Sequence, residues 1–166
     1  DEKFETLRLI LRSTQTLDTN IVPQVLNVVS TINEDLKKWQ ALEYIFDSIN
    51  NPDPSIIQQL IKASNNINEE YRRCQAIMKI AQKLNSKERP EQTHKILQLA
   101  RSSANTINEA HYKDEILADI AQAYASISLF KQAINTALPM SDETKSNTLM
   151  EIIKSIGHLD SNIVQQ

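Results

Sequence analysis

One short stretch is written three times, and it limits what this chain can become. Ile32-Asn33-Glu34 leads into Ala41-Leu42, Ile45 and Ile49. Ile67-Asn68-Glu69 leads into Ala76-Ile77, Ile80-Ala81 and Leu84, and Ile107-Asn108-Glu109 into Ile116-Leu117, Ile120-Ala121 and Tyr124. Apolar residues at i, i+3, i+4 and i+7 share one face of a helix. Such a face returning after 35 and then 40 residues is the mark of stacked helical units, because no single unit can bury it alone.

The columns extend in both directions. Leu7, Ile10, Leu11 and Thr14 align with Leu42, Ile45, Phe46 and Ile49, and Leu149, Ile152, Ile153 and Ile156 form the last set. The successive offsets are 35, 35, 40 and 32 residues. These five segments are expected to be the A helices, starting at N-caps Asn33, Asn68, Asn108 and Ser141 with acids just behind to complement the helix dipole. A second helix, B, completes each unit. Asp18 and Asp53 are 35 residues apart, and Asp53-Pro54 reads as a cap followed by proline in the first turn. Ile21, Val25 and Val28 match Ile56, Leu60 and Ala63; Ile96, Leu97, Ala100 and Ala104 form the third B helix, and Phe130, Ala133, Ile134 and Ala137 the fourth.

This reading divides the chain into units 1–32, 33–67, 68–107, 108–140 and 141–166, about four and a half in all. Leu17-Asp18-Thr19-Asn20-Ile21-Val22 is echoed by Leu159-Asp160-Ser161-Asn162-Ile163-Val164, so Gly157-His158 is expected in a loop before a fifth B helix. Neither end has the polar outer face of a capping unit, which leads to the expectation of a piece from a longer array.

Composition narrows the function. A single glycine cannot build a phosphate-cradling loop, and a formal charge of −3 with no clustered basic surface speaks against nucleic acid. One cysteine, Cys74, gives no disulfide framework, and no apolar run is long enough to span a membrane. With no signal-like segment, a cytoplasmic protein is expected. Glu91-x-x-His94 has the spacing of a di-iron ligand pair but no second copy. His111, His158, Asp114, Glu115 and Asp119 form no catalytic or metal constellation, so neither an enzyme nor a cofactor is expected.

In the fourth unit, Ile120-Ala121, Tyr124, Ser128, Phe130, Ala133 and Ala137 follow one another at the spacing of a tetratricopeptide repeat, which this stretch resembles. The other units depart from that pattern, carrying Leu11, Phe46 and Ile153 where the family has a small residue. The resemblance implies an all-α, right-handed α–α solenoid whose A helices line a concave groove for a peptide or partner domain. Carried onto this chain, the groove would be lined by Gln40, Gln75, Glu115 and Asn147, by Asp47, Gln82, Gln122 and Lys154, and near the helix ends by Asn50 and Asn85, with Glu5, Arg12 and Gln15 extending the rows. Carboxamides dominate, and each offers both donors and an acceptor to a peptide backbone. Arg8 and Arg12 stand where the family's carboxylate clamp would begin, so capture of a C-terminal carboxylate is not expected.

A basic column, Lys3, Lys38, Arg73, Lys113 and Lys145, invites an acidic partner. Its plainer reading is architectural, through i, i+4 pairs Glu34–Lys38, Glu69–Arg73 and Glu109–Lys113. Trp39 and Tyr71 read as plugs between units or as interface anchors. The expected function is a non-catalytic protein–protein interaction scaffold; the alternative is a regulatory repeat segment of a larger multidomain enzyme. Self-association through exposed unit ends is a further expectation, because such ends are apolar.

Overall fold

The computed structural model describes residues 2–13, 16–84 and 89–163, with side chains in the last stretch described as far as Gly157. Thr14, Gln15, Asn85 and Val164 lie outside the described residues. Among the described residues the chain is all-helical, with no strand. The helices are α1 (Glu2–Ser13), α2 (Val22–Ser30), α3 (Asp35–Ser48), α4 (Pro54–Asn65), α5 (Glu70–Lys83), α6 (Pro90–Ala104), α7 (Ala110–Ser126), α8 (Phe130–Ala137) and α9 (Asp142–Ile163), with a 3-10 turn at Thr19–Ile21 before α2. The expected A segments are thus α1, α3, α5, α7 and α9.

Among the B segments, the start of α4 and the turn before α2 follow local chemistry. Asp53 Oδ1 accepts from the amides of Ser55 and Ile56, at 2.7 and 2.9 Å, with Pro54 opening α4. Asp18 Oδ1 accepts from the Asn20 amide and holds the 3-10 turn. With glycine nearly absent, left-handed turn positions fall to Asn51 (φ 48°) and Ser128 (φ 61°), of which asparagine is the more tolerant.

Three of the A segments start differently from expectation, while α9 begins right after Ser141 as expected. Glu34, Glu69 and Glu109, one residue after the asparagines, occupy the N-cap positions and make no side-chain cap. The cap for α5 comes from another helix: Asp35 Oδ2, in the first turn of α3, accepts from the Asn68 and Glu69 amides, both at 2.9 Å. Asp114 of α7 does the same for the Ser141 amide ahead of α9, at 3.0 Å. A carboxylate reaching across from a packed neighbour satisfies donors that an asparagine would otherwise take. Burial alone would raise the Asp35 pKa, but the Glu69 amide, the Lys38 ammonium and the Asn68 amide outweigh it and hold the carboxyl below its ordinary value.

The expected i, i+4 ion pairs are replaced at two starts by i, i+3 pairs. Lys37 meets Glu34 and Arg72 meets Glu69, at 2.6 and 2.7 Å. In the basic column, Lys38 and Lys145 pair with Asp35 and Asp142, at 3.3 and 2.9 Å, and three members also reach the ends of B segments. Lys3 Nζ donates to Thr31 Oγ1 and Lys38 Nζ to the Asn66 carbonyl, each 28 residues ahead and each at the C-terminal end of a B helix. Arg73 Nη1 donates to the carbonyls of Ile67 and Asn68. A cation is favoured at the negative end of a helix, so this column serves architecture.

The chain condenses into two compact units, Asp1–Asn85 and Ser86–Gln166. In the first, α1 packs on α3 and α3 on α5, while α2 packs on α4. In the second, α7 packs on α6, α8 and α9. Most of the repeated column residues are core: Leu42, Ile45, Phe46 and Ile49 in the first unit and Leu117, Ile120, Ala121 and Tyr124 in the second are all buried, whereas Ile10 of α1 and Ile153 of α9 are exposed. Two buried hydroxyls return to their own helix, Ser64 Oγ to the Leu60 carbonyl and Thr136 Oγ1 to that of Gln132.

One expected break is absent. α9 runs through Gly157 and His158 to Ile163 instead of turning into a fifth B helix. Once a helix is nucleated, each further residue gains a hydrogen bond, and here that outweighs the cap signal of Asp160 and the local cost of one glycine.

Candidate functional site

The A helices carry every expected groove residue except Asn50, which follows α3, and Gln15 and Asn85, which lie outside the described residues. Asp47, Asn50, Gln82, Glu115, Gln122, Asn147 and Lys154 are exposed, whereas Gln40 and Gln75 are half-buried. Their surroundings in the two units differ sharply.

In the first unit, side chains cross between neighbouring A helices. Arg12 of α1 lies over the Tyr44 ring of α3, 5.3 Å from its centroid. Arg72 of α5 lies over the Trp39 ring of α3 at the same distance. Lys79 of α5 pairs with Glu43 of α3 at 3.4 Å, and Lys83 Nζ reaches the Asp47 carbonyl. Gln75 sits beneath this layer, with its Oε1 buried and without a hydrogen-bond partner, as is the indole Nε1 of Trp39. Each such atom carries a desolvation cost of about 1–3 kcal/mol. Trp39 of α3 thus meets α5 through Arg72.

In the second unit, a surface groove of about 350 Å³ runs between α7 and α9. Gln122 and Asn147 line it together with Ala118, Thr144, Met150 and Glu151. Ala118 and Glu151 occupy the register positions of Glu43 and Lys79. The strut of the first unit is thus replaced by a methyl group facing a carboxylate, and Glu151 pairs instead with Lys154 of its own helix at 2.6 Å. Glu115 lies one turn before Asp119 on α7; desolvation, then the charge of Glu115, push the Asp119 carboxyl above its ordinary value.

The structure therefore brings together two of the expected residues, Gln122 and Asn147, and leaves Gln40 and Gln75 half-buried on α3 and α5. Ala118, Thr144, Met150 and Glu151 were not expected as lining. The signal that could have found them is the substitution of the bulky or charged Glu43 and Lys79 positions by Ala118 and Glu151 in otherwise matching helices.

Of the remaining chemistry-bearing groups, Cys74 and His94 are packed and His111 is exposed. Cys74 is buried, and the His94 ring lies 5.7 Å from that of Tyr124 with its Nδ1 buried and unpartnered. Among the described residues no three of His, Cys, Asp and Glu gather as a metal site would require, and no helix is long and apolar enough to cross a membrane. No family model, curated protein or solved structure matches this chain.

Proposed function

We propose that the chain is a non-catalytic interaction scaffold, a tetratricopeptide-like right-handed solenoid that binds an extended peptide segment of a protein partner along its A-helix face. The α7–α9 groove carries this reading. It sets the apolar side chains of Ala118 and the largely exposed Met150 beside two exposed carboxamides, Gln122 and Asn147, on facing helices. A carboxamide can donate to a peptide carbonyl and accept from a peptide amide. Because both helices are anchored by buried columns, the amides are held with little freedom left to lose on binding. The packing of alternate helices in the first unit, α1 on α3 on α5 beside α2 on α4, is what a stacked array would require.

The test is a peptide-display selection on the full chain, followed by titration calorimetry of the selected peptides. Gln122→Ala/Asn147→Ala is expected to weaken binding about tenfold or more, near 1.4 kcal/mol, the scale of one or two lost hydrogen bonds. Gln40→Ala/Gln75→Ala is expected to leave the affinity unchanged. Selected peptides that bind both variants as tightly as the wild type would overturn the assignment of this groove.

A further inference from the structure

Charge is distributed unevenly around the α7–α9 groove. Glu143 and Glu151 line it from α9, on either side of Asn147, and no Lys or Arg is among the described residues that line it. On α7, Glu115 shares a row with Ala118 and Gln122, at i, i+3 and i+7, and Asp119 lies one turn beyond Glu115. The carboxylates crowd one another here: desolvation, then the charge of Glu115, holds the Asp119 carboxyl above its ordinary value. The cations of α9 are turned to partners on their own helix, Lys145 to Asp142 at 2.9 Å and Lys154 to Glu151 at 2.6 Å. Glu143 is in no ion pair among the described residues. The helix dipole accounts for an acid in the first turn of α9, where Glu143 lies, but not for Glu151 about two turns on. In the first unit the matching positions hold Tyr71 and Lys79, so Glu151 reverses the charge of its counterpart.

A second feature points to a ligand. Thr148 lines the same groove from α9 while only 3% exposed, and its hydroxyl forms no hydrogen bond with a described residue. The buried hydroxyls of Ser64 and Thr136 both return to their own backbone, the ordinary recourse inside a helix. A buried polar group left without that bond carries a desolvation cost that a ligand atom can relieve. From these observations we propose that the groove takes a basic segment, an extended peptide whose Lys or Arg side chains meet Glu143 and Glu151. The charge of the occupant follows from the walls. Its backbone is what Gln122, Asn147 and the Thr148 hydroxyl bond, so the peptide reading of this groove set out above is presupposed.

The helix also sets the spacing. Glu143 and Glu151 are eight residues apart, about 12 Å along an α-helix. Four residues of an extended chain cover about 13 Å, and alternate side chains point to the same side. Cationic side chains at i and i+4 of the peptide therefore match the two carboxylates, with an uncharged one between them over Asn147. Lys154, the partner of Glu151, is exposed, and an exposed pair is weak enough for a peptide cation to displace it.

Fluorescence anisotropy on the full chain tests this with labelled, capped Gln-Arg-Thr-Ala-Thr-Arg-Gln and with counterparts in which both arginines are glutamine or glutamate. The arginine peptide is expected to bind about tenfold more tightly than the glutamine peptide at about 20 mM salt, and the glutamate peptide more weakly than either. The gap is expected to narrow to about twofold at about 0.5 M salt, because the charges are exposed. Glu143→Gln/Glu151→Gln, at two exposed positions, is expected to remove the gap while leaving the glutamine peptide's affinity and the circular dichroism unchanged. Each exchange alone is expected to halve the gap on a logarithmic scale, which keeps the comparison open should the pair lose its fold. Moving the second arginine by one residue turns it to the far side and is expected to cost about threefold. Equal affinities for all three peptides, or a gap that survives Glu143→Gln/Glu151→Gln, would overturn the basic segment. If the three bind equally and Gln122→Ala/Asn147→Ala weakens them all, the groove stands and only its preference for charge is lost. If none binds at millimolar concentration, groove and basic segment are both overturned.

Discussion

The α3–α5 junction of the first unit and the α7–α9 junction of the second are built on the same buried columns, yet they present opposite surfaces. The first is laced shut by Glu43–Lys79 and by Arg72 over Trp39. The second keeps the columns, replaces the strut with Ala118 and Glu151, and opens a groove. Burial sets the identity of the columns, since removing any of those residues costs several kcal/mol. Exposed pairs are worth a fraction of that, so the lateral rows are free to diverge. What distinguishes the two units functionally is therefore to be sought in those rows.

The largest effect separating the units lies in the column itself. The first unit places Phe46 where the second has Ala121, both buried. Phe46→Ala leaves a void that its helix neighbours can only partly fill and is expected to cost about 3–5 kcal/mol. Ala121→Phe forces a ring into a close helix contact and is expected to cost about 1–3 kcal/mol. Urea unfolding of both variants measures the difference. Equal and small losses would mean that the two junctions are spaced alike and that the column adapts freely.

Next in size is the cap supplied from the neighbouring helix. Asp35 serves two amides at the start of α5, and Asp114 serves one at the start of α9. Asp35→Ala is expected to cost about 1–2 kcal/mol and Asp114→Ala about 0.5–1 kcal/mol, with faster hydrogen exchange at Asn68 and Glu69 in the first case and at Ser141 in the second. The Asp35 effect also depends on pH. Its folded pKa is lowered, so its contribution is whole above the ordinary aspartate value of about 3.9 and is lost as pH falls through the folded value. The stability gap between wild type and Asp35→Asn should therefore be constant from neutral pH down to about pH 5 and shrink below pH 4. A gap independent of pH in that window would show that the amides, and not the charge, set the interaction.

How far these features could be read from the sequence depends on their range. The column residues announced themselves because helical burial imposes a period, and the structure places Leu42, Ile45 and Phe46 in the core as the period requires. The Asp53 cap was equally legible, since donor and acceptor are three residues apart. The caps of the A helices were not. Asn68 carries the local signal, but the acceptor of its amide is Asp35, 33 residues away, and no local pattern encodes that reach. Likewise Gln75 and Gln122 are equivalent in type and share the A-helix surface. Only the neighbours, Arg72 stacked on Trp39 in one case and Ala118 facing Glu151 in the other, make the first a packing residue and the second a groove wall.

The smallest effect on stability bears most directly on function. Ala118→Glu combined with Glu151→Lys would copy the Glu43–Lys79 strut into the second unit and lay it across the groove. An exposed ion pair contributes about 0–1 kcal/mol, and both positions face solvent at least in part, so unfolding by urea should be nearly unchanged. Lys154 loses its Glu151 partner, but it is exposed and can be rehydrated without measurable loss. Peptide binding, by contrast, should fall below detection, because the new side chains occupy the space between Gln122 and Asn147. The control is the charge reversal Ala118→Lys with Glu151 retained, which places the same strut in the opposite sense. If both strutted chains lose the selected peptides while keeping their stability, occlusion of the groove is the cause. If the first loses them and the second keeps them, the peptides respond to charge at position 151 rather than to the open cleft, and the contrast between the two junctions would be electrostatic instead of steric.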